Sequence, residues 1–382
     1  MCTRCVFDDT VKHITFDKDG ICNYCHINKK LAKKPDQVKL DRLFARIKKK
    51  MRNKKYDCIV PLSGGIDSTY VLYYIKKRGL NPVAVHSDNG WVTEVARENM
   101  NRVCTKLEVP LIRLSEDWSV MKDLYLASFK ASVPDLCLAC EVKSISEIMS
   151  FSVKESIPYI FFGFSSRTEG LIPLSWHYID YRYFNSIIGR FAKNSKVCFK
   201  LNKLSFFHFF YFMVIKSIKF ILLPTYVDWD EKKITKTLKN ELDWIDKGHH
   251  SDCLYHPVVK YIQKQKFYID RRKKLFCSYI NRGTMTKEKA IELLKEPDDQ
   301  NIHLVINQVI SKLGITKSEF EEFLSLEPKY FVDYPSYYPF YKKMRFLIWL
   351  VNKCGLMDEG IYKYYFPNKW MNTRIRRVLK SR

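Results

Sequence analysis

Acidic residues are too scarce to balance the basic ones in this sequence of 382 residues. Only 41 Asp and Glu stand against 66 Lys and Arg, a net charge of +25. Such a surface attracts polyanions: nucleic acid, nucleotide-linked sugars or an anionic membrane. A lysine-rich protein without such a ligand is the bland alternative. No secretory leader is expected, since the first residues, MCTRCVFDDT, are polar from the start. The 12 cysteines are then expected in a reducing cytoplasm, as metal ligands or redox centres rather than disulfides. Apolar runs long and clean enough to span a bilayer are scarce, and a transmembrane helix is only the lesser alternative. Residues 204–224 (LSFFHFFYFMVIKSIKFILLP) come nearest, but His208, Lys216 and Lys219 interrupt them. A charge at the bilayer centre costs about 3 kcal/mol. A buried or interfacial helix is expected there instead, touching the inner membrane face at most peripherally, with its lysines snorkelling. No internal repeat is visible.

The length suits two or three domains. Residues 1–30 form a cysteine-rich head, and residues 31–56 a basic linker helix with Leu40, Leu43, Phe44 and Ile47 at helical spacing. Over residues 57–170 the pattern alternates. CIVPLS, NPVAVHSD, PLIRLS and PYIFFGFSS read as strands, with helices between them and the first helix closed by Gly79. That order predicts an α/β fold, a doubly wound parallel sheet covered on both faces that binds ligands at the strands' carboxyl ends. Pro61 is tolerable because it falls where the first strand gives way to a loop. Residues 171–300 are aromatic and helical, a region for substrate and partner, and include a helix capped by Thr286. Residues 301–382 are helical and rich in aromatics.

The loop after the first strand reads PLSGGIDSTY and has no lysine. The common phosphate loop needs one for the outer phosphates. Gly64 and Gly65 let the backbone turn tightly and approach a ligand. Free N–H groups and the following helix N-terminus form an anion cradle, to which Ser63 and Ser68 add hydroxyls. Asp67 would repel phosphate unless Mg²⁺ sat between them. An ordinary strand–helix turn, with Asp67 or Ser68 as its cap, is the plainer account. The segment resembles the PP-loop ATP pyrophosphatases. That resemblance implies ATP cleaved between its α and β phosphates, with AMP passed to a carbonyl oxygen and pyrophosphate left on the loop. It implies catalytic roles for Asp67 and Ser68, and ATP contacts from Ser63, Gly64, Gly65, Asp67, Ser68, His86, Asp88 and Gly163. His86 and Asp88 lie in HSDNGW after the second strand, and Gly163 opens GFSSRTEG after the fourth.

Cys2, Cys5, Cys22 and Cys25 make two CxxC pairs sixteen residues apart, a spacing that fits tetrahedral Zn²⁺. A rival use of Cys2, as the N-terminal nucleophile of a glutaminase, lacks room before the loop. Ammonia would then come from elsewhere. A second set comprises Cys137, Cys140, Cys253 and His256. It reads as a second Zn²⁺ site or, through its CxxC plus one cysteine, as an iron–sulfur site like that of some tRNA thiolases. Unrelated thiols are the alternative. Cys58, Cys104, Cys198, Cys277 and Cys354 read as core or incidental.

Over residues 1–300 the chain resembles the N-acetyl sugar amidotransferases of O-antigen, lipopolysaccharide and nonulosonic acid biosynthesis. The likeness runs through CTRCVFDDT, ITFDKDGICNYC, CIVPLSGGIDSTY, AVHSDNGW, ASVPD, the TEG of GFSSRTEG, PTYVDWDEKK, FYIDRRK and GTMTKEKAIELLKEP. The cysteine-bearing DLCLAC departs from that pattern. The resemblance implies an enzyme that uses ATP and Mg²⁺ to turn an acetamido group of a nucleotide-linked sugar into an acetamidino group, releasing AMP and pyrophosphate. It implies partners as well: separate glutaminase and ammonia-channel subunits similar to the two halves of imidazole glycerol phosphate synthase. Arg167, Arg182, Arg271 and Arg272 are candidates for the sugar's diphosphate or carboxylate, with solvated surface charge as the competing account, and Thr168 and Glu169 join Arg167, Arg271 and Arg272 as candidate substrate contacts. Two other readings remain. One is a PP-loop tRNA-modifying enzyme, a thiolase or tRNA ligase, to which charge, cysteines and aromatics all suit. The other is a zinc-headed scaffold with a dead nucleotide fold.

Overall fold

The computed structural model describes residues 1–12, 14–31, 35–201, 203–246, 252–296, 301–353 and 359–366. Its centre is a five-stranded sheet of β1 (Cys58–Pro61), β2 (Pro82–Ser87), β3 (Leu111–Leu114), β4 (Tyr159–Phe162) and β5 (Lys219–Leu222). The spatial order is β3-β2-β1-β4-β5, and every pairing is parallel. The expected α/β doubly wound sheet is therefore present. Buried apolar residues dominate β1 and β2, as a strand covered on both faces requires. Pro61 ends β1 opposite Val85. Leu62 then donates its N–H to the Val85 carbonyl at 2.9 Å, so pairing resumes past the missing donor.

From β1 the chain winds to β2 and β3 on one side and returns to β4 and β5 on the other. The carboxyl ends of β1 and β4 thus flank the point where the winding reverses, where ligands bind in such sheets. The loop 62–65 leaves β1 there, and Gly163 leaves β4 beside it. A side-chain carbon at Gly163 would come within 2.7 Å of the Asp67 backbone, so only glycine lets the two loops touch. Gly64 has φ +83°, and a Cβ there would meet the Ala96 carbonyl oxygen at 2.3 Å. The turn needs this glycine twice, for its backbone conformation and for its close approach.

The basic segment before β1 does more than link. Helix Gln37–Met51 is capped by Asp36, whose side chain accepts from the Lys39 N–H. It buries Leu40, Phe44, Ile47 and Met51 in the sheet's core. Phe44 meets Phe161 of β4 edge-on, with ring centroids 5.8 Å apart. The cysteine head joins a second apolar core with Trp91, Trp176 and the helices Trp118–Lys130, Tyr181–Phe191, His256–Phe267 and Ile302–Leu313. The Thr286 cap appears as expected, accepting from the Lys289 N–H at the start of Lys287–Lys295. Cys354 lies outside the described residues.

Residues 204–224 are not the single helix expected. They form a short helix, Phe206–Phe210, a π-helical turn, Tyr211–Ile215, and then β5. Two physical causes stand out. Ser217 takes a left-handed φ of 54°, which ends a helix. Beyond it, Lys219 donates its N–H to the Pro158 carbonyl at 2.7 Å, so the open edge of β4 captures the apolar run as a strand. Among the described residues no helix is long and apolar enough to cross a membrane.

Candidate functional site

The loop after β1 is organised around two serines. Ser68 Oγ accepts from the Ser63 N–H at 3.1 Å and lies 3.1 Å from Ser63 Oγ. The Gly65 N–H points to Ser63 Oγ at 3.3 Å. Gly65 caps helix Ile66–Lys77 with no side-chain cap, so neither Asp67 nor Ser68 serves as N-cap. The first turn keeps backbone donors for an anion.

Asp67 faces this turn and accepts a hydrogen bond from Trp229 Nε1 at 3.0 Å. Burial raises its pKa, the Glu169 carboxylate raises it further, and the Trp229 N–H works against them. Glu231 and Asp252 add to the rise, and the result is about 7. The Asp252 carboxylate borders the loop, within 3.1 Å of where a Gly65 side-chain carbon would be. Glu231 is held by Tyr279 Oη at 2.7 Å, and Glu169 by Lys274 at 3.2 Å. In a chain of net charge +25, the surroundings of this loop are locally acidic, though among the described residues the carboxylates are not drawn into one ligand shell. Were Mg²⁺ to arrive with a nucleotide, Asp67 is the carboxylate placed beside the loop to meet it.

Other sequence-chosen residues serve the frame. His86 is buried and donates from Nδ1 to the Leu62 carbonyl at 2.8 Å, tying the start of the loop to β2. Burial lowers its pKa, which favours the neutral ring. Asp88 folds its carboxylate onto the Gly90 N–H at 2.8 Å. Thr168 is buried and paired with Ser165. Arg167 donates to the carbonyls of Pro224 and Val227 at 2.7 and 3.1 Å, fixing the chain that delivers Trp229. Arg271 is engaged by Gln263 at 2.7 Å. Arg272 grips Asp270 and the carbonyls of Leu293, Leu294 and Glu296, closing the last turn of helix Lys287–Lys295. Arg182 is exposed on helix Tyr181–Phe191.

The head brings its four thiols together. Cys2 Sγ lies 3.9 Å from Cys25 Sγ, and Cys5 Sγ 3.7 Å from Cys22 Sγ. All four sulfurs lie within 4.8 Å of one another. A tetrahedron with Zn–S bonds of about 2.3 Å has edges of about 3.8 Å, so one ion fits. Backbone N–H groups of Arg4, Phe7, Cys22 and Cys25 point at the sulfurs, as thiolates need. Among the described residues this is the one such group. Cys137, Cys140, Cys253 and His256 are not gathered into a comparable ligand shell. Cys140 donates its thiol to the Cys137 carbonyl at 3.2 Å within its own turn, and a backbone bridge to Val92 fixes Cys253.

Residues 231–347 match the family model described as LPS biosynthesis protein WbpG-like, C-terminal domain. This stretch, under a third of the chain, is termed the WbpG-like domain. That match supports the resemblance to the sugar amidotransferases of lipopolysaccharide biosynthesis. The chain is also 28% identical to an uncharacterised protein of Methanocaldococcus jannaschii over 166 residues, 42% of this chain and 58% of that one. It is 37% identical to a tRNA(Ile)-lysidine synthase of Chlamydia pneumoniae over 79 residues, 20% of this chain and 23% of the other. The matched stretches thus span less than two thirds of these relatives. Among solved structures, the U34-tRNA thiolase NcsA from Methanococcus maripaludis with its 4Fe-4S cluster is similar at 13% identity. The likeness covers 78% of this chain and 88% of that one with a TM-score of 0.30, too low to bear on the argument.

The WbpG-like domain reaches both the loop and the head. Trp244 Nε1 donates to the Gly64 carbonyl at 3.0 Å, and Trp229 stands two residues before the domain. On the head side, Lys287 donates to the Cys2 carbonyl at 2.7 Å and Lys273 pairs with Asp8 at 2.7 Å. Asn281 points its amide at Cys25 Sγ, 3.3 Å away, and at Cys277 Sγ, 3.5 Å away. Cys277, read as incidental, therefore belongs to the head's surroundings.

Sequence reasoning also missed two buried ionic groups. Lys143 is fully buried and binds Glu147, Ser87 Oγ and the Asp88 carbonyl at 2.9–3.2 Å. It locks the carboxyl end of β2. His177 sits between Asp135 at 3.0 Å and Glu141 at 3.1 Å. Burial alone would lower its pKa, but the Glu141 charge and the hydrogen bonds to both carboxylates raise it to about 10. The i,i+4 spacing of Lys143 and Glu147 was the available signal for the first. The second has no local signal.

Two outcomes are expected. The protein purified without chelator should hold about one zinc per chain by elemental analysis, and Cys22→Ser should lose it together with several kcal/mol of stability. For Asp67, a folded pKa of about 7 against the ordinary 3.8 means that stability falls as pH rises from about 4 to about 7, with the loss complete above that. Its protonated form carries no such cost near pH 4. Asp67→Asn should then be about 1–2 kcal/mol more stable than the parent at pH 8, allowing for residual solvent access, with no gain near pH 4. Urea denaturation at the two pH values measures the difference, and an equal effect at both would contradict the assignment.

Proposed function

We propose that the chain is an ATP-dependent, AMP-forming amidotransferase of lipopolysaccharide biosynthesis that acts on the acetamido group of a nucleotide-linked N-acetyl sugar. The observation that carries this reading is the contact of the WbpG-like domain with the loop, Trp244 on the Gly64 carbonyl. It joins a domain named for lipopolysaccharide biosynthesis to an ATP-type site.

The chemistry follows from the groups present. An amide carbon resists ammonia because its oxygen is a poor leaving group, so the oxygen must be activated first. In the proposed reaction the acetamido oxygen attacks the α-phosphorus of ATP. An O–P bond forms, the bond to the β-phosphate breaks, and pyrophosphate leaves. Ammonia then adds to the imidate carbon, the C–O bond breaks, AMP departs with the former amide oxygen, and a proton leaves nitrogen. Ser63, Ser68 and the N–H groups of Gly64 and Gly65 would hold the pyrophosphate oxygens as charge collects there. No lysine is required, because no γ-phosphoryl group is transferred. Mg²⁺, when bound beside Asp67, would offset the charge between protein and phosphate. Ammonia would come from separate glutaminase and channel subunits.

A second reading has support of its own: similarity to tRNA(Ile)-lysidine synthases, 37% over 79 residues in one case, together with the +25 charge. One assay separates the two. The purified protein is given Mg-ATP, ammonium and a panel of nucleotide-linked acetamido sugars, and in parallel tRNA. The proposal predicts AMP with a sugar about one mass unit lighter, oxygen replaced by NH. Ser68→Ala should slow AMP release by about 100-fold. AMP formed only with tRNA would replace this reading by the other.

A further inference from the structure

The π-helical turn and its neighbours form a surface that neither the ATP site nor the head uses. Phe212 and Ile218 point inward and join the sheet core. Around them, Phe207, Phe209, Phe210, Tyr211, Val214 and Ile215 are exposed, Phe207 by 81% and Ile215 by 61%. The two inward residues hold the segment against the protein while its aromatic and aliphatic tips face out. Large apolar side chains crowded outward in this way mark an interaction surface. A π-turn, rare in helices, is frequent at functional sites.

The surrounding charge says what kind of surface it meets. Residues 181–227 contain eight lysines and arginines and not one aspartate or glutamate. Lys203, Lys216 and Lys219 are exposed next to the apolar tips. The Lys216 ammonium lies 5.3 Å from the centre of the Tyr211 ring, so charge and aromatic share one face. A protein partner fitted to an apolar patch needs no such total exclusion of acid over 47 residues. A sheet of lipid headgroups does favour it, because every carboxylate near an anionic bilayer is repelled and every lysine attracted. Aromatic rings, in turn, seat at the boundary between headgroups and acyl chains.

The geometry points to residues 204–220 as a membrane-docking face that lays the protein on an anionic bilayer without crossing it. In this arrangement the tips of Phe207, Phe210 and Ile215 enter the headgroup region, and Lys203, Lys216 and Lys219 lie among the lipid phosphates. The edge strand β5 follows directly, so the docked face is rigidly joined to the sheet that carries the ATP loop.

The full chain is tested by sedimentation with vesicles of phosphatidylcholine alone, and of phosphatidylcholine with about one third phosphatidylglycerol. Binding is expected to the anionic vesicles, to weaken on raising the salt, and to be slight with phosphatidylcholine alone. The variant Phe207→Ser/Phe210→Ser/Ile215→Ser should reduce partitioning at least tenfold, and Lys216→Glu/Lys219→Glu should do the same. Leu304→Ser, at an exposed apolar position on another helix, should bind as the parent does. All the substituted side chains are exposed, and an unchanged melting curve would confirm the fold. Failure to bind anionic vesicles overturns the proposal, as does undiminished binding by both multiple variants. A parent that is dimeric by light scattering, with a monomeric triple-serine variant, assigns the patch to a second copy and overturns it too.

Discussion

A bent loop carrying an outward carbonyl and a half-buried carboxylate is held in place by two indole N–H groups. Trp244 donates to Gly64 and Trp229 to Asp67. Each acceptor would be costly to leave without a donor beneath packed chain. Gly64 supplies the left-handed conformation, and Gly163 the gap through which β4's loop approaches. The tryptophans come from 162 and 180 residues further along the chain. An anion cradle of this type can be organised by its own lysine. Here the restraint arrives from outside, and the loop's shape depends on the docking of the region that leads into the WbpG-like domain.

That dependence ties three parts of the protein together. Helix Arg272–Arg282 of the WbpG-like domain faces the cysteine head through Cys277, Asn281 and Lys273. The same helix holds Glu231 through Tyr279, and its neighbour in the chain, Lys287, holds the Cys2 carbonyl. A metal bound in the head would therefore also steady a helix whose opposite face, through Tyr279, holds Glu231 near Asp67. Charge is divided in the same way. The chain as a whole is strongly basic, yet the residues converging on the loop are acidic. Long-range attraction for polyanions and a locally acidic surround of the loop are thus properties of different layers of one molecule.

Legibility in the sequence followed the range of the interaction. SGGIDS after an apolar strand and the paired CxxC motifs are local patterns, and both led to the right geometry. The alternation of strands and helices led to the sheet because each β-α-β unit is a near-neighbour event. What escaped notice was long-range. No local pattern says that Trp229 and Trp244 meet the loop, that Arg272 spends its donors on helix ends, or that His177 completes a pair with Asp135 and Glu141. Residues 204–224 were misread for a related reason. Their composition suits a helix on a membrane surface, but the open edge of β4 offered hydrogen bonds that only the folded sheet could supply. Tertiary pairing overrode local pattern. In DLCLAC, a metal-like spacing, Cys140 donates its thiol to the Cys137 carbonyl of its own turn.

The account's central claim is that the loop activates an amide oxygen by joining it to AMP. A nucleotide-linked acetamido sugar carrying heavy oxygen in its acetamido carbonyl tests this directly. After one turnover with ATP and ammonium, the account predicts that the heavy oxygen is found in the phosphate of AMP. Label retained on the sugar, or recovered in pyrophosphate or inorganic phosphate, would contradict it.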